Sequence, residues 1–71
     1  MTEERARRLL AKKVQALRVK RGLTQENMRD YGFGYRHYQR IEAGEKDLRL
    51  STMTRLSNAL KVSLKDLFDF E

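Results

Sequence analysis

The 71-residue chain has no cysteine and no proline, only four glycines, and no apolar run approaching the ~20 residues needed to cross a bilayer. Each absence excludes something. Without cysteine, neither a disulfide nor a thiolate metal site can staple so small a fold, and that usage fits a reducing cytoplasm. With no proline, Ser/Gly-rich tract or internal repeat to mark a linker, residues 1–71 read as a single domain. A domain of this size buries only ~60% of the surface its unfolded chain exposes, which leaves one small core and argues against a cleft-bearing enzyme. Met1-Thr2-Glu3-Glu4 leads into Arg5 and Arg7-Arg8 with no apolar stretch behind it, so it does not read as a secretory leader. The expectation is a soluble cytoplasmic protein.

What is present is charge and a helical rhythm. Charged residues make up 37% of the chain and hydrophobic ones 39%, so it is polar yet carries enough apolar side chains to fold. Glycines at 22, 32, 34 and 44 supply the punctuation. From Glu3 to Arg21, Leu10, Val14 and Leu17 recur at i, i+4 and i+7, the pattern of an amphipathic helix that Gly22 ends. Thr24 reads as the cap of a short second helix whose buried face is Met28 and Tyr31, closed by Gly32. A third helix is predicted from about Gly34 to Ala43, with Tyr38 and Ile41 on its inner face and Gly44 as its stop. After a charged loop from Glu45 to Arg49, Ser51 is expected to cap a fourth helix with Met53, Leu56, Ala59 and Leu60 inward. Ser63, with Asp66 at N3, is expected to cap a fifth that carries Leu64, Leu67 and Phe68 and extends over 63–70. The fold class is all-α: five helices and no strand.

The second and third helices are separated by a turn of about three or four residues containing glycine, the spacing of a helix-turn-helix at about 24–43. With Tyr38 placed at the inside of a helical wheel, Arg36, Gln39, Arg40 and Ala43 fall on the outer arc. Arg can donate two hydrogen bonds to guanine O6 and N7, and Gln can pair with adenine N6 and N7, so this face suits a DNA major groove. Tyr35 stands at the helix start, where such helices meet base edges.

The stretches Leu17-Arg18, Gly22-Leu23-Thr24-Gln25-Glu26, Gln39-Arg40-Ile41-Glu42-Ala43-Gly44 and Leu60 to Phe68, in that order and spacing, resemble the lambda-repressor-like (phage repressor and Cro type) helix-turn-helix family over about residues 10–68. The resemblance implies a compact five-helix domain that binds double-stranded operator DNA, usually as a two-fold dimer. It implies that Tyr35, Arg36 and Arg40, with Gln39 beside them, read bases. It places Gln25 at the DNA backbone and the rim of the base-edge surface and Lys46 and Arg49 at phosphates, and it implies an ion pair between Arg18 and Glu42; Thr24, the backbone N–H of Gly34 and His37 are further expected backbone contacts. Two departures stand out. The stretch from Met28 to Glu42 is one residue shorter than the family pattern, with Arg29 where a small Ala is usual, so a tighter turn or an early end to helix two is expected. Gly34 replaces the usual Ser or Thr, which leaves only a backbone N–H to meet a phosphate there.

The same residues admit other readings. Charged residues on a short helix are ordinarily a solvated face, and a helix-turn-helix around Arg36 and Arg40 favours base contact instead. Tyr31, Phe33, Tyr35 and Tyr38 could stack on unpaired bases, but three of them fall inward or at the core of the turn. His37, the only histidine, has no partners at metal-ligand spacing. No catalytic triad or phosphate-cradling glycine loop is present, so no enzyme, cofactor or small-molecule ligand is expected. A basic first helix could lie on lipid, yet its apolar face is narrow and needed by the fold. An antitoxin that masks a partner protein and autoregulates its promoter is the alternative function. Such proteins of this family usually carry an added toxin-binding segment, whereas the sequence ends directly after the fifth helix.

Size adds a further expectation. One module buries only ~600–1,000 Å² on DNA, so a useful specificity calls for a homodimer on a palindromic operator, with half-sites about 34 Å apart. Val62, Leu64, Leu67 and Phe70 on the C-terminal helix are the expected dimer surface, and a nucleoid-associated transcriptional regulator is the expected role. The formal charge of +6 is unevenly spread. Residues 1–21 hold eight basic and two acidic residues, residues 22–44 three of each and residues 45–71 five of each. All of the excess lies in helix one, where Arg5, Arg7, Arg8, Lys12 and Lys13 would attract flanking phosphates independently of sequence.

Overall fold

The computed structural model describes residues 1–70. Four α-helices and one 3₁₀-helix follow in the order α1 (Glu3–Lys20), η1 (Glu26–Tyr31), α2 (Tyr35–Glu42), α3 (Leu50–Leu60) and α4 (Leu64–Leu67). Among the described residues there is no strand.

Local chemistry sets most of the boundaries. Thr2 caps α1 by accepting from the backbone N–H of Arg5, and Glu3 and Glu4 complement the positive end of the helix dipole. Gly22, at φ 77°, turns the chain out of α1, while Leu23 N–H donates to Arg18 C=O at 3.1 Å and Gly22 N–H to Val19 C=O at 2.9 Å, a Schellman closure. Thr24 Oγ1 accepts from Asn27 N–H at 3.1 Å, and Asn27 Oδ1 accepts from Thr24 N–H at 2.8 Å, so the two residues cap η1 reciprocally.

The second helix is 3₁₀ rather than α. A 3₁₀-helix rises ~2.0 Å per residue against ~1.5 Å for an α-helix. Six 3₁₀ residues therefore span about the length that eight α residues would. Gly32, at φ 88°, then reverses the chain, and Phe33 is buried in the turn.

Two more boundaries differ from the sequence reading. Ser51 does not cap α3: the helix starts at Leu50, and Arg49 occupies the cap position without a side-chain hydrogen bond. Leu48 before the cap and Met53 at the fourth helical position both pack on the core, the placement of a hydrophobic staple, and this fixes the entry to α3 in place of a hydroxyl cap. The C-terminal helix is a single turn, Leu64–Leu67, rather than 63–70. It is closed at its start by the Ser63–Asp66 capping box.

Every element contributes to one core of Leu10, Val14, Met28, Phe33, Tyr38, Ile41, Leu56, Ala59, Leu60 and Leu67. Leu67 belongs to that core and is fully buried, so it cannot form part of a dimer surface. A one-turn helix lying on the bundle must point one side chain inward, and Leu67 is the one. Leu64 and Phe68 are left outward at 37% and 49% exposure, while Val62 and Phe70 are half-buried against the core.

Candidate nucleic-acid interface

α2 is held from its inner side and offers its outer one. Tyr38 and Ile41 are buried, whereas Arg36, Gln39, Arg40 and Ala43 are exposed and line one shallow depression with Glu45. Tyr35 is exposed at the start of the helix. Gly34, extended and open to solvent, precedes it and leaves the first N–H groups of α2 uncovered by any side-chain cap.

The orientation of this helix is set by a polar cluster at its far end. Arg18 Nε donates to Glu42 Oε2 at 2.6 Å and Arg18 Nη2 to Glu42 Oε1 at 3.1 Å, while Arg18 Nη1 donates to Leu23 C=O at 2.7 Å. The pair is closed to solvent, with side-chain exposures of 10% and 4%. Gln25 Nε2 donates to the same carboxylate at 3.1 Å. Burial pushes the Glu42 carboxyl up, but the hydrogen bonds from Arg18, with Tyr38 and Gln25 adding to them, outweigh it and hold the group below its ordinary value. Tyr38 Oη lies buried beside the pair without a hydrogen bond of normal geometry, and burial raises its pKa strongly.

The other end of the motif is clamped from α3. Arg55 Nη1 donates to Gly32 C=O at 3.0 Å, and its guanidinium lies 5.3 Å from the centre of the Phe33 ring. Phe33 meets Tyr38 edge-on at 5.6 Å and stacks with His37 at 6.5 Å. Arg55 therefore fixes the turn between η1 and α2, a role that an arginine on the outer face of a helix does not announce in sequence.

The structure gathers three of the residues expected at the DNA backbone, His37, Lys46 and Arg49, around one concavity of about 380 Å³ at the N-terminus of α3, together with Ser51, Thr52 and Arg55. Thr24 and Gln25 lie apart from it at the start of η1, both already engaged in the hydrogen bonds described above. The sequence reading assigns Gln25 to the DNA backbone and does not reveal it as a partner of Glu42. The signal that could have found it is the demand of a buried carboxylate for more than one donor.

The helix-turn-helix family profile matches residues 14–67. The chain belongs to the lambda-repressor-like helix-turn-helix family. It is accordingly a DNA-binding regulatory domain, and the all-helical fold agrees with that membership. No curated protein and no solved structure matches this helix-turn-helix chain. Residues 1–13, which include most of the basic half of α1, lie outside the matched span. No helix among the described residues is long and apolar enough to cross a membrane, and no His/Cys/Asp/Glu group there could hold a metal ion.

Proposed function

We propose that this helix-turn-helix protein is a sequence-specific transcriptional regulator that lays α2 in the major groove of a palindromic operator as a homodimer. The observation that carries the reading is the exposed Arg36-Gln39-Arg40 face on a helix whose inner side and both ends are fixed. Such preset donors suit bidentate recognition of guanine and adenine edges, with Tyr35 adding contact at the start of the helix. Backbone contacts come from two sides: Thr24, Gln25 and the bare N-terminus of α2 at Gly34 on one, His37, Lys46 and Arg49 on the other. These set register and supply affinity without reading sequence.

The dimer rests on Leu64 and the half-buried Val62 and Phe70, to which Phe68 is added as the most exposed side chain of that group. Selection of binding sites from a random duplex library tests the whole reading. It should return a palindrome with half-sites about one helical turn apart. Enrichment of no common sequence would overturn base reading, and sedimentation as a monomer at high micromolar concentration would overturn the dimer.

A further inference from the structure

The basic excess of residues 1–21 is sorted by the structure into groups that serve the fold and groups that do not. Arg18 is spent on Glu42. Arg21 donates to Tyr31 Oη and to Ala59 C=O. Arg7 pairs with Glu3 and donates to Gly44 C=O at 3.3 Å. Lys13 is half-buried and close enough to Asp66 to lower its pKa, after the larger effect of the Ser63 hydrogen bonds. Arg8, Lys12 and, at the far end of the helix, Lys20 remain exposed; Arg8 and Lys12, with Arg5 and Leu9, line one shallow depression on the outward side of α1. Arg8 makes only an exposed contact with Glu4 at 3.6 Å, of a kind that contributes little and gives way readily to another anion.

This stripe is fixed beside the end of the reading helix. A Cβ on Gly44 would lie 3.4 Å from Arg8 Cα, so the α1 backbone runs against the turn that ends α2. The Arg7 bond to Gly44 C=O pins that seam. The basic face is therefore a rigid shelf next to Ala43, Gly44 and Glu45, and it lies in the segment outside the family match.

We propose that Arg8 and Lys12, on this N-terminal shelf of α1, form a second phosphate-binding surface that grips duplex DNA flanking the bases read by α2. The inference rests on the DNA-binding reading above and deepens it. A lipid surface fits the stripe poorly, because the only apolar member of the depression is the half-buried Leu9, and interfacial helices need a broad apolar band.

The test uses the full chain with Arg8→Gln and Lys12→Gln combined, against a Lys61→Gln, Lys65→Gln pair that removes the same charge from exposed positions around α4. Binding to the selected duplex and to a random duplex of equal length is followed across salt concentrations. The α1 pair should make the slope of log K against log [salt] shallower by about 3.6 for the dimer, the value for two lost phosphate contacts in each protomer, and leave the ratio between the two duplexes unchanged. The control pair should leave the slope as it was. An unchanged slope in the α1 variant, or an equal loss in both, would overturn the shelf while leaving the reading helix untouched. Failure of the unaltered chain to bind any duplex would overturn both. Binding of the unaltered chain, but not the α1 variant, to phosphatidylglycerol vesicles with unchanged duplex slopes would reassign the stripe to membranes and overturn the proposal.

Discussion

Arg18 and Glu42, 24 positions apart, meet through two hydrogen bonds of 2.6 and 3.1 Å and lock the end of α2 onto α1. Removing one partner of such a pair leaves an uncompensated buried charge, at ~3–5 kcal/mol, a large part of a small domain's stability. Glu42→Ala should therefore lower the denaturant midpoint severely. The Arg18→Met, Glu42→Leu double variant should recover part of the loss, because no charge is then left buried, although Leu23 C=O and Gln25 Nε2 lose their partners. A double variant as unstable as the single one would show that the uncompensated charge is not the cause.

The same carboxylate sets an acid limit. Its folded-state pKa is lowered, so the stability it contributes is fully present above the ordinary carboxylate range and is lost as pH falls through the folded value. Stability measured from about pH 7 down to about pH 3 should decline across the acid half of that range. Glu42→Gln, measured where it still folds, should show a weaker decline.

Tyr38 buries a hydroxyl that lies beside Glu42 without a hydrogen bond of normal geometry. An unsatisfied buried polar group costs ~1–3 kcal/mol, whereas the ring itself packs in the core against Phe33. Tyr38→Phe should leave the melting temperature equal or higher. A clear fall would mean that the hydroxyl stabilises Glu42 by more than its own burial costs.

Gly22 and Gly44 both hold left-handed backbone, at φ 77° and 74°, but a Cβ meets nothing within 4 Å at the first and meets Arg8 Cα at 3.4 Å at the second. Each Gly→Ala change should cost about 1 kcal/mol in backbone strain. Gly44→Ala should cost about the same as Gly22→Ala, because 3.4 Å is an ordinary van der Waals contact that the seam with α1 can accept. Denaturation of the two variants side by side measures both costs.

On DNA, Arg36→Ala and Arg40→Ala should each lose ~1–3 kcal/mol on the selected site and relax its sequence preference, while Lys46→Ala weakens all duplexes about equally. If Arg36→Ala leaves the ratio of selected to random duplex unchanged, base reading belongs to other residues.

Much of this was legible in the sequence because it is local. The spacing of Leu10, Val14 and Leu17 determined α1, the glycines determined where helices stop, and the wheel around Tyr38 determined which side of α2 faces out. The Ser63–Asp66 box was readable as a four-residue motif. The rest depends on residues far apart in the chain. The 3₁₀ form of η1 over Glu26–Tyr31 is not announced by its own propensities. The start of α3 at Leu50 follows from where Leu48 and Met53 pack. Leu67 is in the core because a single turn has only one inward position, and no periodicity exists over four residues to announce it. Likewise, composition alone placed the positive charge in α1. Only packing could decide which of those cations the fold consumes and which it leaves facing solvent, Arg8 and Lys12 among them, beside the end of α2.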